Sequence, residues 1–96
     1  MQVNSEQIKR IRNEIDEIDT QIIQLLTKRF QAVQKIGWIK KKSKIQVTDS
    51  QRENFLHNRL EELASRNNLD LSFLTRLWKE ILKESYRIQM KSESDE

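Results

Sequence analysis

The chain has ninety-six residues, with 34% charged and 35% hydrophobic side chains, one Gly, no Pro, no Cys and a net charge of +3. That size means one domain with a limited core. The scarcity of Gly and Pro excludes collagen-like, linker-like and turn-rich all-β classes, whose turns need residues tolerant of special backbone angles.

The absence of Cys removes disulfides and thiolate metal sites. The mild positive charge suits an anionic small molecule as well as nucleic acid, and decides neither. The chain is dense in Leu, Ile, Lys, Glu, Gln and Arg, which lose little rotamer freedom in a helix. The fold class it predicts is all-α, with three helices.

The first helical pattern begins near Ser5, read as an N-cap. Ile8, Ile11, Ile15, Ile18, Ile22, Leu25, Ala32, Ile36 and Ile39 then follow in steps of three and four, interrupted only at Arg29. Gly37 reads as a tolerated helix residue costing about 1 kcal/mol relative to Ala. A helix from about residue 5 to about residue 42 is roughly 55 Å long. A compact globule of this many residues has a radius of gyration of only about 12–13 Å. The rest of the chain cannot cover such a rod, so an intertwined homodimer is predicted, with a second copy over the isoleucine seam.

Lys40 to Val47 reads as a basic connection. A second helix is predicted from around Thr48–Ser50 to about Arg66, burying Phe55, Leu56, Leu60 and Leu63. Ser50 and Glu53 fit a capping box; alternatively, the amides at this helix start and Glu53 contact a polar group of a ligand, and both readings can hold in part. Arg66-Asn67-Asn68 reads as a turn, with Asp70 or Ser72 capping a third helix. That helix presents Leu74, Leu77, Trp78, Ile81, Leu82 and Ile88 on its inner side. Residues 1–96 form a single domain with its core over about 5–90, and 91–96, charged or Ser, are expected to fray. No apolar run reaches the roughly 20 residues of a membrane span, and residues 1–15 carry charges throughout, unlike a signal peptide. A cytoplasmic protein with no membrane partner is expected.

Several polar residues occupy positions where a core side chain is due. At 100° per residue Arg29 lies within about 20° of Ile18, Ile22 and Ile36, in the middle of the apolar stripe. Lys40 falls about 20° from Arg29 and about 16 Å along the axis. Arg52 lies within about 40° of Leu56 and Leu63, while Ser85 and Gln89 continue the line of Trp78 and Ile81. An ion pair from another helix or a register-setting polar residue accounts for either inward cation alone. A satisfied core hydrogen bond accounts for Ser85 or Gln89 alone. Taken together the set holds three cations and no acid, and its natural common partner is a buried anion.

From about Ile8 to Gln89 the chain resembles the all-α chorismate mutases. The resemblance rests on Arg12, Ile15-Asp16, Ile18-Asp19, Leu25-Leu26, Lys28-Arg29, Lys40 eleven residues after Arg29, Asp49-x-x-Arg52-Glu53, and Ser85 with Gln89, in order and without gaps. It implies a three-helix protomer whose pocket is completed by its twin. Arg12 from the partner protomer and Arg29 would grip the two carboxylates of chorismate, with Ser85 assisting one of them. Lys40 and Gln89 would donate to the ether oxygen. Glu53 and the main chain near Asp49 would hold the ring hydroxyl, with Arg52 supporting the anionic site. The helical wheel agrees with the split between protomers, since Arg12 lies about 100° around the axis from Arg29.

The implied reaction is the pericyclic rearrangement of chorismate to prephenate in aromatic amino-acid biosynthesis. It needs no nucleophile, general base, cofactor or metal, and His57, the only histidine, is expected at the surface. Catalysis would come from holding the reactive diaxial shape and from stabilising negative charge on the ether oxygen.

The segment from Ser43 to Thr48 lacks the proline often present in the family, and Lys40-Lys41-Lys42 with Lys44 is more basic than the pattern needs, which reads as a solvated run. Trp38 and Tyr86 flank the site and bear on its volume. No dehydratase, dehydrogenase or regulatory segment is visible, so a monofunctional, unregulated enzyme is expected.

Two other readings compete. Isochorismate pyruvate lyase shares the fold and much of the cationic pocket, but the acid at Glu53 argues against it. A basic helical dimer binding nucleic acid or a partner helix would need its cations exposed to reach phosphates, whereas Arg29 and Lys40 face inward. No nucleic-acid partner is expected.

Overall fold

The computed structural model describes residues 2–43 and 49–94. They form three helices, α1 (Gln2–Ser43), α2 (Asp49–Arg66) and α3 (Leu71–Ser94), with no strand among the described residues. The all-α expectation therefore holds. The chain falls into two compact units, Met1–Ala32 and Val33–Glu96, with the division inside α1.

In the first unit α1 begins at Gln2, so Ser5 lies inside the helix and does not cap it. The long run of good helix formers extends the helix past the residue that looked like its start. Ile8, Ile11, Ile15, Ile18 and Ile22 remain 48–53% exposed. Within a single chain this stripe has no cover.

The second unit holds the core: Leu56, Leu60 and Ala64 of α2 and Leu74 and Ile81 of α3 are buried. Phe55 and Leu77, expected inside, are 55% and 40% exposed. Phe55 sits one step, about 100°, from Leu56, and Leu77 flanks the Leu74–Ile81 line by about 40–60°, so the narrow α2–α3 seam leaves both partly open.

The junction between α2 and α3 is set by local chemistry. Asn68 adopts a left-handed conformation, φ 54°, which Asn tolerates better than most non-glycine residues. The Leu69 amide then reaches back to the Ala64 carbonyl (2.9 Å) and the Asn68 amide to that of Ser65 (3.4 Å). This paired arrangement satisfies carbonyls that the end of α2 would otherwise leave open. Asp70 caps the next helix: its Oδ2 accepts from the Phe73 amide at 3.0 Å, resolving the choice between Asp70 and Ser72.

α2 starts at Asp49, within the expected Thr48–Ser50, but the cap reading of Ser50 does not hold. Ser50 lies inside the helix rather than ahead of it, and Thr48 lies outside the described residues, as does the basic stretch over 44–47. Lys40, Lys41 and Lys42 belong to the last turn of α1, where positive charge favours the helix C-terminus. The other end also differs, because α3 continues to Ser94 with Ser92 only 2% exposed.

Ser92 is buried because α1 passes over it. A Cβ built on Gly37 would sit 2.7 Å from the Gln89 carbonyl oxygen and 2.7 Å from Ser92 Cβ. Gly37 is therefore required by close helix approach as well as tolerated by the helix.

Candidate active site

The residues singled out in the second unit lie on all three of its helical segments. Gly37 brings the end of α1 against the turn of α3 that carries Gln89, and Lys40 follows one helical turn after Gly37. Lys40 and Gln89 are both half-buried. Ser85, one turn before Gln89, is buried, and its hydroxyl donates to the Ile81 carbonyl at 2.8 Å. The modest reading of Ser85, a satisfied core hydroxyl, thus holds for its proton. Turning that proton toward a ligand carboxylate would exchange one hydrogen bond for another.

On α2, Arg52 and Glu53 are exposed in the single chain. The Arg52 guanidinium lies over the Phe55 ring, 5.4 Å from its centroid, a distance at which a cation is attracted to the ring face. Arg52 is therefore not turned into the α2–α3 core as the helical wheel suggested. It continues the four-residue row of Leu56, Leu60 and Ala64, but at the first turn of α2 it is exposed and its guanidinium reaches the exposed Phe55 ring instead. Glu53 accepts a hydrogen bond from the Tyr86 hydroxyl, 3.0 Å from Oε1, which ties α2 to α3 across the turn. The sequence showed Tyr86 only as a neighbour of the site; a contact between residues 33 apart leaves no periodic signal on either helix.

In the first unit Arg29 is half-buried, rather than enclosed, and Arg12 is exposed. Arg12 lines a shallow groove with Ser5, Ile8, Lys9 and Asn13. The seventeen residues between Arg12 and Arg29 correspond to about 25 Å along the helix axis, so one copy of α1 cannot direct both at one small ligand. Side-chain geometry at Asp49 falls outside the described residues.

His57 is on the surface beside Glu61, with Nε2 3.1 Å from Oε1 and both side chains more than half exposed. Among the described residues no cluster of His, Cys, Asp and Glu is arranged to hold a metal ion, and no helix is long and apolar enough to cross a membrane. No buried side-chain polar atom among them lacks a hydrogen-bond partner. In the second unit the contacts that join candidate residues of different helices include Tyr86 with Glu53 and Gly37 against the Gln89 turn.

Comparison with known proteins agrees in kind. Residues 11–90 match the family model for chorismate mutase type II. The chain is 40% identical over 80 residues to a bifunctional chorismate mutase/prephenate dehydratase of Buchnera aphidicola subsp. Schizaphis graminum, covering 83% of this chain and 21% of that protein. It is 34% identical over 80 residues to the protein of the same description from Buchnera aphidicola subsp. Acyrthosiphon pisum, again 83% of this chain and 21% of that one. It is 26% identical over 84 residues to the chorismate mutase of Methanocaldococcus jannaschii, covering 88% and 85% of the two chains. The chain thus spans about a fifth of the bifunctional relatives it matches. No solved structure gives a significant match. With three helices and a family match over residues 11–90, this chain belongs to the chorismate mutase type II family.

Proposed function

We propose that the protein is a chorismate mutase that converts chorismate to prephenate for aromatic amino-acid synthesis, acting in the cytoplasm as a homodimer with shared pockets and no nucleic-acid or membrane partner. In this reaction the ether C–O bond breaks as a C–C bond forms within one molecule, so atoms and electrons balance without a co-reactant. The task left to the protein is to hold the substrate in its reactive shape and to meet the charge that grows on the ether oxygen.

The observation that carries this reading is the approach of α1 to α3 at Gly37, one helical turn before Lys40, against the turn of α3 that bears Gln89. A cationic and a neutral donor from two helices suit an ether oxygen gaining negative charge. In the same reading Arg29, with Arg12 of the partner subunit, takes the two carboxylates and Ser85 assists one of them. Glu53 and the main chain at Asp49 take the ring hydroxyl, and Arg52 supports the anionic site. The uncovered isoleucines of α1 support the dimer, since contiguous apolar surface of this extent marks an interface.

The direct test is to incubate the purified protein with chorismate and follow the loss of its diene absorbance. Prephenate as the product is expected. Unchanged chorismate in the presence of folded protein defeats the reading, and pyruvate released from isochorismate instead would move the chain to lyase chemistry.

A further inference from the structure

We propose that Tyr86 is a positioning residue that orients the Glu53 carboxylate toward the ring hydroxyl of the substrate, an inference that rests on the chorismate mutase reading above. Its hydroxyl donates to Glu53 Oε1 at 3.0 Å. A phenol has one proton to give, and here it goes to the carboxylate. A glutamate exposed on a helix turns about three side-chain torsions and has no preferred direction of its own. Fixing Oε1 sets the plane of the carboxylate, and so the direction in which Oε2 offers its lone pairs to a hydroxyl donor.

The position of Tyr86 matters as much as the bond. It follows Ser85 directly and precedes Gln89 by one turn of α3, so the helix that contributes two candidate ligand contacts also holds the carboxylate of α2. The α2 start and α3 are thereby linked at the site by a polar contact, outside the buried Leu56, Leu60, Leu74 and Ile81 line. The ring itself is 39% exposed, so its hydroxyl is dispensable for the core. That separates orientation from stability.

The test is a double-mutant cycle on the full-length protein with chorismate. Tyr86→Phe keeps the ring and removes only the hydroxyl; it is expected to lower kcat/KM about 3- to 10-fold, the size of one net hydrogen bond, with an unchanged melting temperature. In a Glu53→Ala background the same change is expected to add less than about a 2-fold loss, because its route to the substrate is gone. If Glu53→Ala turns over too slowly, the same cycle is read as affinity for a bicyclic dicarboxylic ether bearing the ring hydroxyl.

A Tyr86→Phe enzyme equal to the parent, or one losing the same factor with and without Glu53, overturns the positioning role. A larger loss in Tyr86→Ala that is independent of Glu53 assigns the ring to pocket shape instead, and also overturns it. Failure of the parent protein to consume chorismate defeats the functional reading, whereas an active parent with a flat cycle defeats only the role of Tyr86.

Discussion

Ile8, Ile11, Ile15, Ile18 and Ile22 of α1 and Leu56, Leu60, Leu74 and Ile81 of α2 and α3 follow the same helical spacing, yet the first set is 48–53% exposed and the second 6–9%. A periodic apolar stripe states that a helix must be covered, and says nothing about which chain covers it. In the second unit the Asn68 turn folds α3 back on α2 and supplies the cover locally. In the first unit the isoleucines are left half-exposed among the described residues. Finishing the burial of five half-exposed isoleucines is worth about 1 kcal/mol each, a sizeable share of the stability of a small domain.

The sharpest way to break this contrast is to charge the α1 stripe. Ile11→Glu with Ile18→Glu is expected to convert the proposed dimer to monomer or unfolded chain in sedimentation, and to remove turnover if each pocket borrows from its neighbour. A doubly substituted protein that stays dimeric and active would show that the exposed stripe is not the interface.

Within the second unit the largest effect is expected at Lys40 and Gln89, the proposed ether-oxygen donors. Lys40→Ala is expected to lower kcat about 100- to 1000-fold, as loss of one donor to a developing oxyanion does, with the helical circular-dichroism spectrum intact. Gln89→Glu adds a pH signature of known sign. A carboxyl donates only when protonated, whereas the amide donates at any pH, so turnover of this variant rises as pH falls. Parent-like rates in Lys40→Ala, or a parent-like pH profile in Gln89→Glu, remove those residues from the ether site.

Subunit mixing tests how the two regions combine. Arg12→Ala and Arg29→Ala are each expected to be inactive as homodimers. In a heterodimer of the two, one pocket regains both arginines, so random mixing restores about a quarter of parental activity if each pocket takes its Arg12 from the other subunit of a two-fold dimer. Verified heterodimers with no activity would count against shared pockets.

Gly37, in the second unit, shows what was legible in the sequence. The three helices, the Asn68 turn and the Asp70 cap could be read because propensity, spacing and capping are local. The burial of Ser92, the exposure of Phe55 and Arg52, and the Tyr86–Glu53 bond could not, because each depends on what lies opposite. Gly37 reads from sequence as a mild helix penalty, whereas the structure places the Gln89 backbone 2.7 Å from its absent Cβ. A backbone carbonyl cannot swing aside as a flexible side chain can. Gly37→Ala should gain about 1 kcal/mol of helix propensity and lose about 1–3 kcal/mol to overpacking. A net loss of up to about 2 kcal/mol in denaturant melts is expected, with a fall in kcat as α1 shifts against the Gln89 turn. A stabilised, fully active Gly37→Ala protein would mean that the helices do not approach this closely.

The smallest effect is expected at His57, and its smallness is informative. As the only histidine, it is the side chain that would ordinarily be suspected of acid–base work near neutral pH. Its partner is Glu61, one turn away on the same exposed face, and such a pair contributes no more than about 0.5 kcal/mol. A rearrangement that moves no proton has no use for a general base. His57→Ala should therefore leave kcat, KM and the pH–rate profile unchanged while shifting stability by less than that amount. A histidine-dependent inflection that disappears in this variant would require a proton transfer, and so a chemistry different from the one argued for these helices.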